Sequence, residues 1–296
     1  MLVAVVVALS ILTAFCYALS NVLELMEAEQ VPDEYTLKLS LLGRLARRPR
    51  WLLGAASDVV GYVAQAAALA LAAVAFVMPI VASGIIIALL LGAVVMHRSV
   101  RTSDWIAAIV LSIGLAVFLH EVLPTGGDEV ESASHWTVAG PIVILGVGVC
   151  LACARGVRGP PRAALLGIAA GISFGVAAVL TKAFVYYLGD GPFSWVDHWE
   201  PYALAVSSIG GLVIAQSALQ TGALGAAVGA SEALIPITAT VLGLAILHEQ
   251  IDAKGIGWIL VASSAMAIVW GIVQLARGEE YMRDIDVQSR FVESGG

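Results

Sequence analysis

The sequence predicts an all-α polytopic membrane protein: nine transmembrane helices arranged as two inverted four-helix repeats. Three observations predict it: an excess of apolar residues, nine apolar runs of spanning length, and an internal repeat displaced by an odd number of spans. Of the 296 residues, 60% are hydrophobic and only 12% are charged, with a mean hydropathy of +0.94. A soluble domain is about half apolar and about a quarter charged, so one aqueous-facing core does not absorb this chain. The 15 Lys and Arg against 22 Asp and Glu give a net charge of −7, which leaves no basic surplus for nucleic acid. Three cysteines do not make a disulfide framework.

The predicted spans are residues 2–24, 51–72, 75–96, 103–121, 137–153, 163–187, 201–221, 224–247 and 255–276. The first lacks a cationic start and a small-residue cleavage site, so it reads as a retained helix rather than a signal peptide. Residues 1–122 form the first repeat, 137–154 a linking helix, 162–276 the second repeat and 277–296 a cytoplasmic tail, which reads as disordered. With nine spans, thirteen Lys and Arg, from Lys38 through Arg98 to Arg290, fall on one side, and Lys254 alone on the other. Cations are retained in the cytoplasm, so the N-terminus is expected outside and the C-terminus inside an inner or plasma membrane. The outer side gathers Glu121, Asp128, Glu129, Glu131, Asp190, Asp197, Glu200, Glu249 and Asp252; such a face attracts cations, and the competing reading is that it is acidic only because Lys and Arg are kept inside.

Between the first two spans, Leu37, Leu41 and Leu45 recur every four residues beside Lys38, Arg44, Arg47 and Arg48. That pattern fits an amphipathic helix over about 35–49 on an anionic membrane surface, anchored by Trp51; an eroded span is the alternative.

Residues 64–100 align without gaps on 215–251, with 12 of 37 identical, among them Gln65 with Gln216, Gly92 with Gly243 and His97 with His248. The segment Tyr17 to Leu23 similarly matches Phe174 to Leu180. Equivalent helices then lie five spans apart and cross the membrane in opposite directions. Like halves about an axis in the membrane plane open alternately to either side of a central site, so transport leads the function classes.

The second half carries Ser231 to Pro236, Leu242 to Glu249, and Gly255 with Gly257, which resembles the EamA-type repeat of the drug/metabolite transporter superfamily. The first half is similar to the NIPA-type magnesium transporters of that superfamily, in Asp58, Met78-Pro79, the gap to Arg98, and the polar connection after span one. Arg98 stands where the EamA repeat usually has Glu. The resemblance implies a carrier of small solutes, with magnesium or another divalent cation as an alternative cargo.

Ionisable groups inside a bilayer cost about 2.5–3.5 kcal/mol each, so they face a cavity or a partner. Asp58, Tyr62 and Gln65 share one face of span two, and Tyr17, Asn21 and Glu24 one face of span one. Gln216 and Gln220 share a face of span seven, and Glu232 lies mid-span eight. Tyr17, Asn21, Asp58, Tyr62, Gln65, Lys182, Gln216, Gln220 and Glu232 are the expected substrate-binding residues. Asp58 is the candidate metal ligand if a cation is carried. The competing reading is that these groups only tie helices together. Glu24 is expected to reach cytoplasmic water, and Lys182 either snorkels outward or enters the cavity. Pro79 and Pro236 free carbonyls for a bend or a cation. The glycines at 167, 171 and 175, and at 225 and 229, read as close helix contacts within the bundle. Cys150 and Cys153 read as packing residues, while His120, His135 and His198 are a weak outer metal candidate.

No nucleotide-binding or hydrolase motif occurs, so neither enzyme activity nor a bound cofactor is expected. The expected partners are a small-molecule or cation substrate and membrane lipids, with the monomer and homodimer both open. A flippase for lipid-linked headgroups and a membrane scaffold are the remaining alternatives.

Overall fold

The computed structural model describes residues 2–72, 74–96, 100–122, 124–125, 133–191, 193–246, 250–251 and 256–294. Arg98, His97, His248, Glu249, Asp252, Lys254 and the acidic stretch 126–132 lie outside them, as does the side chain of His135.

Among the described residues the only regular structure besides helix is one pair of two-residue strands. Its helices are α1 (Leu2–Ala28), α2 (Leu39–Leu45), α3 (Pro49–Leu71), α4 (Val74–Ala82), α5 (Gly84–Met96), α6 (Thr102–Glu121), α7 (Ala133–Gly156), α8 (Pro160–Asp190), α9 (Glu200–Leu219), α10 (Leu224–Ile246) and α11 (Ile256–Ser294). Helices satisfy every backbone group internally, which apolar surroundings require. Among the described residues nine are long and apolar enough to cross a membrane, α4 and α5 together supplying the third. They coincide with the nine predicted runs to within a few residues, and make this a multi-pass membrane protein. The tail departs from expectation, because α11 continues as helix to Ser294.

Local chemistry explains the ends. Pro49 and the Pro160-Pro161 pair open α3 and α8 at positions where a missing N–H costs nothing. Gly159 precedes α8 with a φ of 66°, a turn that a side chain would strain. The start of α10 is capped from another helix: Gly225 N–H donates to Glu279 Oε1 at 2.8 Å and Ala226 N–H to Oε2 at 3.1 Å. A carboxylate on orphan N–H groups also meets the positive end of the helix dipole. Glu279→Ala should therefore cost about 1–2 kcal/mol, read as a lowered melting temperature of the detergent-purified protein. An unchanged value would mean that the cap is dispensable.

Helix α8 lies against α10, α9 and α7. A Cβ at Gly167 would sit 2.4 Å from the Ala227 carbonyl, one at Gly171 2.6 Å from that of Ser231, and one at Gly175 2.5 Å from Thr238 Cβ. The glycine stripe thus lets α8 meet the backbone of α10 within one chain. Gly225 and Gly229 face Leu89 and Ile85 of α5 and Leu275 of α11. Helix α1 packs on α3, α4 and α5, and α6 packs on α11 and α4. Past α6, Pro124–Thr125 (β1) pairs antiparallel with Gln250–Ile251 (β2), which links the segments after α6 and α10. At the other end of the bundle lie α2, which carries Arg44, and the Arg47 and Arg48 that follow it.

The connection between α1 and α3 is seated on protein. Helix α2 has seven residues, too few to span about 30 Å of hydrocarbon, so it is not an eroded span. Leu41 and Leu45 are wholly buried in the main core, while Leu39 is 67% exposed. Thr36 Oγ1 donates to Gln220 Oε1 at 3.0 Å, Gln220 Nε2 to the Val31 carbonyl at 3.3 Å, and the Leu37 N–H to Ser217 Oγ at 2.9 Å. That last bond holds Leu37 in the left-handed region at φ 59°, unusual for a bulky residue. Arg48 Nη1 pairs with Glu27 Oε2 at 2.9 Å, and the Arg44 guanidinium lies over the Tyr35 ring.

Candidate functional site

A cavity of about 370 Å³ opens between helices of both halves of the sequence. Tyr17, Asn21 and Glu24 enter it from α1, Asp58 and Gln65 from α3, Gln216 from α9, and Ser231, Glu232 and Pro236 from α10. Its apolar wall includes Met78, Val81, Leu115, Leu119, Phe174, Leu212 and Ile235.

The α1 stripe falls where helical geometry puts it, all three residues lining the space. On α3 the face divides. At about 100° per residue Gln65 lies about 20° to one side of Asp58 and Tyr62 about 40° to the other. Asp58 and Gln65 line the cavity, and Tyr62, 66% exposed, lies off it. Gln220, one turn beyond Gln216, reaches the end of α9, where its amide serves Thr36 and Val31 instead. Lys182 is exposed and outside the lining. Pro236 lines the cavity, and Pro79, next to the lining residue Met78, does not.

Two hydrogen-bond chains cross the site. Tyr17 Oη donates to Gln65 Oε1 at 2.7 Å, and Gln65 Nε2 donates to Met78 Sδ at 3.3 Å, joining α1, α3 and α4. Gln216 Nε2 donates to Glu24 Oε2 at 2.5 Å and Trp51 Nε1 donates to Gln216 Oε1 at 3.1 Å, joining α9 to α1 and α3. Ser20 Oγ donates to Glu24 Oε1 at 3.3 Å. The amide of Gln216 is thus used at both atoms, and 1% of its surface is exposed.

Three carboxylates share the cavity. Glu24 is 6% exposed, whereas Asp58 and Glu232 present open surface to the space they line. Asp58 lies within electrostatic reach of both Glu24 and Glu232. No Lys, Arg or His is among the described residues of the lining. Uncompensated negative charge in apolar surroundings is costly, so the site calls for a cation, protons or a polar solute with donors. Among the described residues no group of three His, Cys, Asp or Glu is spaced to hold one metal ion. Cys150 is half-buried, Cys153 is exposed and both are free thiols. His198 stacks on Tyr187 with centroids 3.7 Å apart.

Glu24 and Trp51 are the residues that sequence reasoning did not assign here. The stripe of Tyr17, Asn21 and Glu24 carried the signal for the first. For Trp51, a position between arginines and an apolar run suggested a lipid anchor, yet it is 8% exposed. Its indole finds Gln216 only through the tertiary fold.

The chain is 25% identical over 282 residues, 93% of its own length and 95% of the relative's, to an uncharacterized protein of Corynebacterium glutamicum. No family model matches the chain, and no solved structure matches it.

Proposed function

We propose that this protein is a secondary membrane transporter of the drug/metabolite type. It moves a small polar solute by alternating access through the cavity described above. The observation that carries the proposal is that cavity itself: carboxylates, amides and a phenol drawn from α1, α3, α9 and α10, set in a bundle that has nine apolar helices of spanning length among the described residues. An anchor or scaffold has no use for ionisable groups held there at a cost of about 2.5–3.5 kcal/mol each.

The internal repeat supports the same reading through packing. Helix α1 lies on α3 and on the α4–α5 span, and its sequence counterpart α8 lies on α9 and α10. The fourth helices of the two repeats, α6 and α11, lie on each other, as elements close to a pseudo-two-fold axis do. Two like halves around one site give the two-sided opening that a carrier requires. The end bearing Arg44, Arg47 and Arg48 then faces the cytoplasm, with the N-terminus outside.

Magnesium or another divalent cation is the second reading, favoured by Asp58 and Glu232 in the lining. The spacing of the carboxylates opposes direct ligation of one bare ion by three of them. The experiment is flux into proteoliposomes of purified protein, with a trapped Mg²⁺ indicator and, in parallel, counterflow of labelled polar metabolites. Saturable flux of either kind supports a carrier. Folded protein that moves neither ion nor metabolite overturns the transport reading.

A further inference from the structure

We infer that Glu24 is a switch carboxylate for which the Gln216 amide and a cationic solute in the cavity compete, so that loading the site releases α9 from α1 and α3. The inference rests on the carrier reading and names both the charge of the cargo and the contact through which binding opens the bundle.

Among the described residues Glu24 is held by neutral donors alone, Gln216 Nε2 at 2.5 Å and Ser20 Oγ at 3.3 Å. It has no ion pair among the described residues, although Glu27 one turn further on has Arg48. A buried carboxylate in that condition binds an arriving cation more strongly than it holds an amide, because a full opposite charge attracts it more strongly than the amide dipole does. Glu24 lines the cavity, so the cation reaches it from there. Asp58 and Glu232 add negative charge to the same space, and no described lining residue is basic. An anionic cargo has no site in such a lining.

Gln216 converts occupancy into movement. Its two amide atoms join α9 to Glu24 of α1 and to Trp51 of α3. Among the described residues the remaining side-chain ties of this end of α9, Thr36 to Gln220, Gln220 to Val31 and Leu37 to Ser217, reach the connection between those helices and lie outside the lining. The Glu24–Gln216 bond is therefore the tie that a solute in the cavity can replace. Once it is replaced, the amide turns away and Trp51 loses its acceptor.

The test uses the full chain in lipid nanodiscs, titrated with tetraethylammonium chloride and with MgCl₂, with sodium glutamate as the anionic control. Trp51 emission is isolated as the difference between the wild type and Trp51→Phe. The expected result is that at least one cation shifts Trp51 emission and glutamate does not. Gln216→Leu, freed of the competitor, should bind that cation about tenfold more tightly, and Glu24→Gln should bind it weakly with Trp51 silent. Should Gln216→Leu not fold, calorimetry on Trp51→Phe asks the same question, because loss of that anchor loosens Gln216 and tightens cation binding. Unchanged affinity in the variant, cation binding with Trp51 silent, or no cation binding at all overturns the inference. Counterflow of a neutral solute by protein that ignores both cations overturns it while leaving the carrier reading standing. A Trp51 response without any flux does the reverse.

Discussion

Gly171→Leu should yield no folded protein, and Gly171→Ala a protein that melts well below the wild type. The reason is the α8–α10 contact, where a Cβ on Gly171 would lie 2.6 Å from the Ser231 carbonyl and 2.7 Å from Leu234 Cβ. The first of these is backbone and has no rotamer to change. Overpacking of this kind costs about 1–3 kcal/mol for small insertions, and three further carbons have no space to occupy. Gly140→Ala in α7, where nothing lies within 4 Å of the added Cβ, is the control and should leave the melting temperature nearly unchanged. Detergent-extracted protein assayed by thermal unfolding decides it. A Gly171→Leu variant that melts with the wild type would mean that α8 and α10 do not meet along this stripe.

The second large effect concerns charge. Asp58→Asn and Glu232→Gln should each lower solute flux by about tenfold to a hundredfold, the loss of one charged hydrogen bond of about 1.5–3 kcal/mol, while the fold survives. Both side chains present open surface to the cavity, and Glu232 makes no hydrogen bond or ion pair to the described residues. Near-isosteric amides therefore leave the packing as it is. Full flux in both variants would remove the carboxylates from the pathway and favour a purely structural role for the cavity lining. Loss of flux together with a fall in melting temperature would instead assign the effect to folding.

Much of this architecture is legible in the sequence because lipid imposes a simple code. A run of about 20 apolar residues has few alternatives to a spanning helix, and the nine spans follow from it. The stripe on α1 was readable from helical periodicity alone, and so was the role of glycines 167, 171 and 175 in close packing. What the sequence hides is rotation and partner. Tyr62 belongs to the same nominal face as Asp58, yet a rotation of about 40° moves it off the cavity. Gln216 and Gln220 look equivalent, but one turn of helix separates a cavity residue from a tie at the end of the bundle. Leu41 and Leu45 have the spacing of a membrane-surface helix and are buried against protein, since periodicity identifies an apolar face without identifying what covers it. Trp51 and Glu24 meet Gln216 across separations of 165 and 192 residues, distances at which local pattern carries no information.

The third span is interrupted and the eighth is not. At Ser83 the backbone bonds are three-residue turns, Ser83 N–H to the Ile80 carbonyl and Ile86 N–H to the Ser83 carbonyl, whereas α10 passes through Pro236 unbroken. Pro236 removes one regular bond from α10, while at Ser83 the chain leaves the helical pattern altogether. The two walls of the cavity therefore differ in stiffness. Met78, Val81 and Ala82, on the jointed side, are expected to yield first to a bulky occupant, and Glu232, on the stiffer side, to hold its place. In the proposed carrier, tolerance for the size of a solute then resides beside that joint, in the first half of the chain.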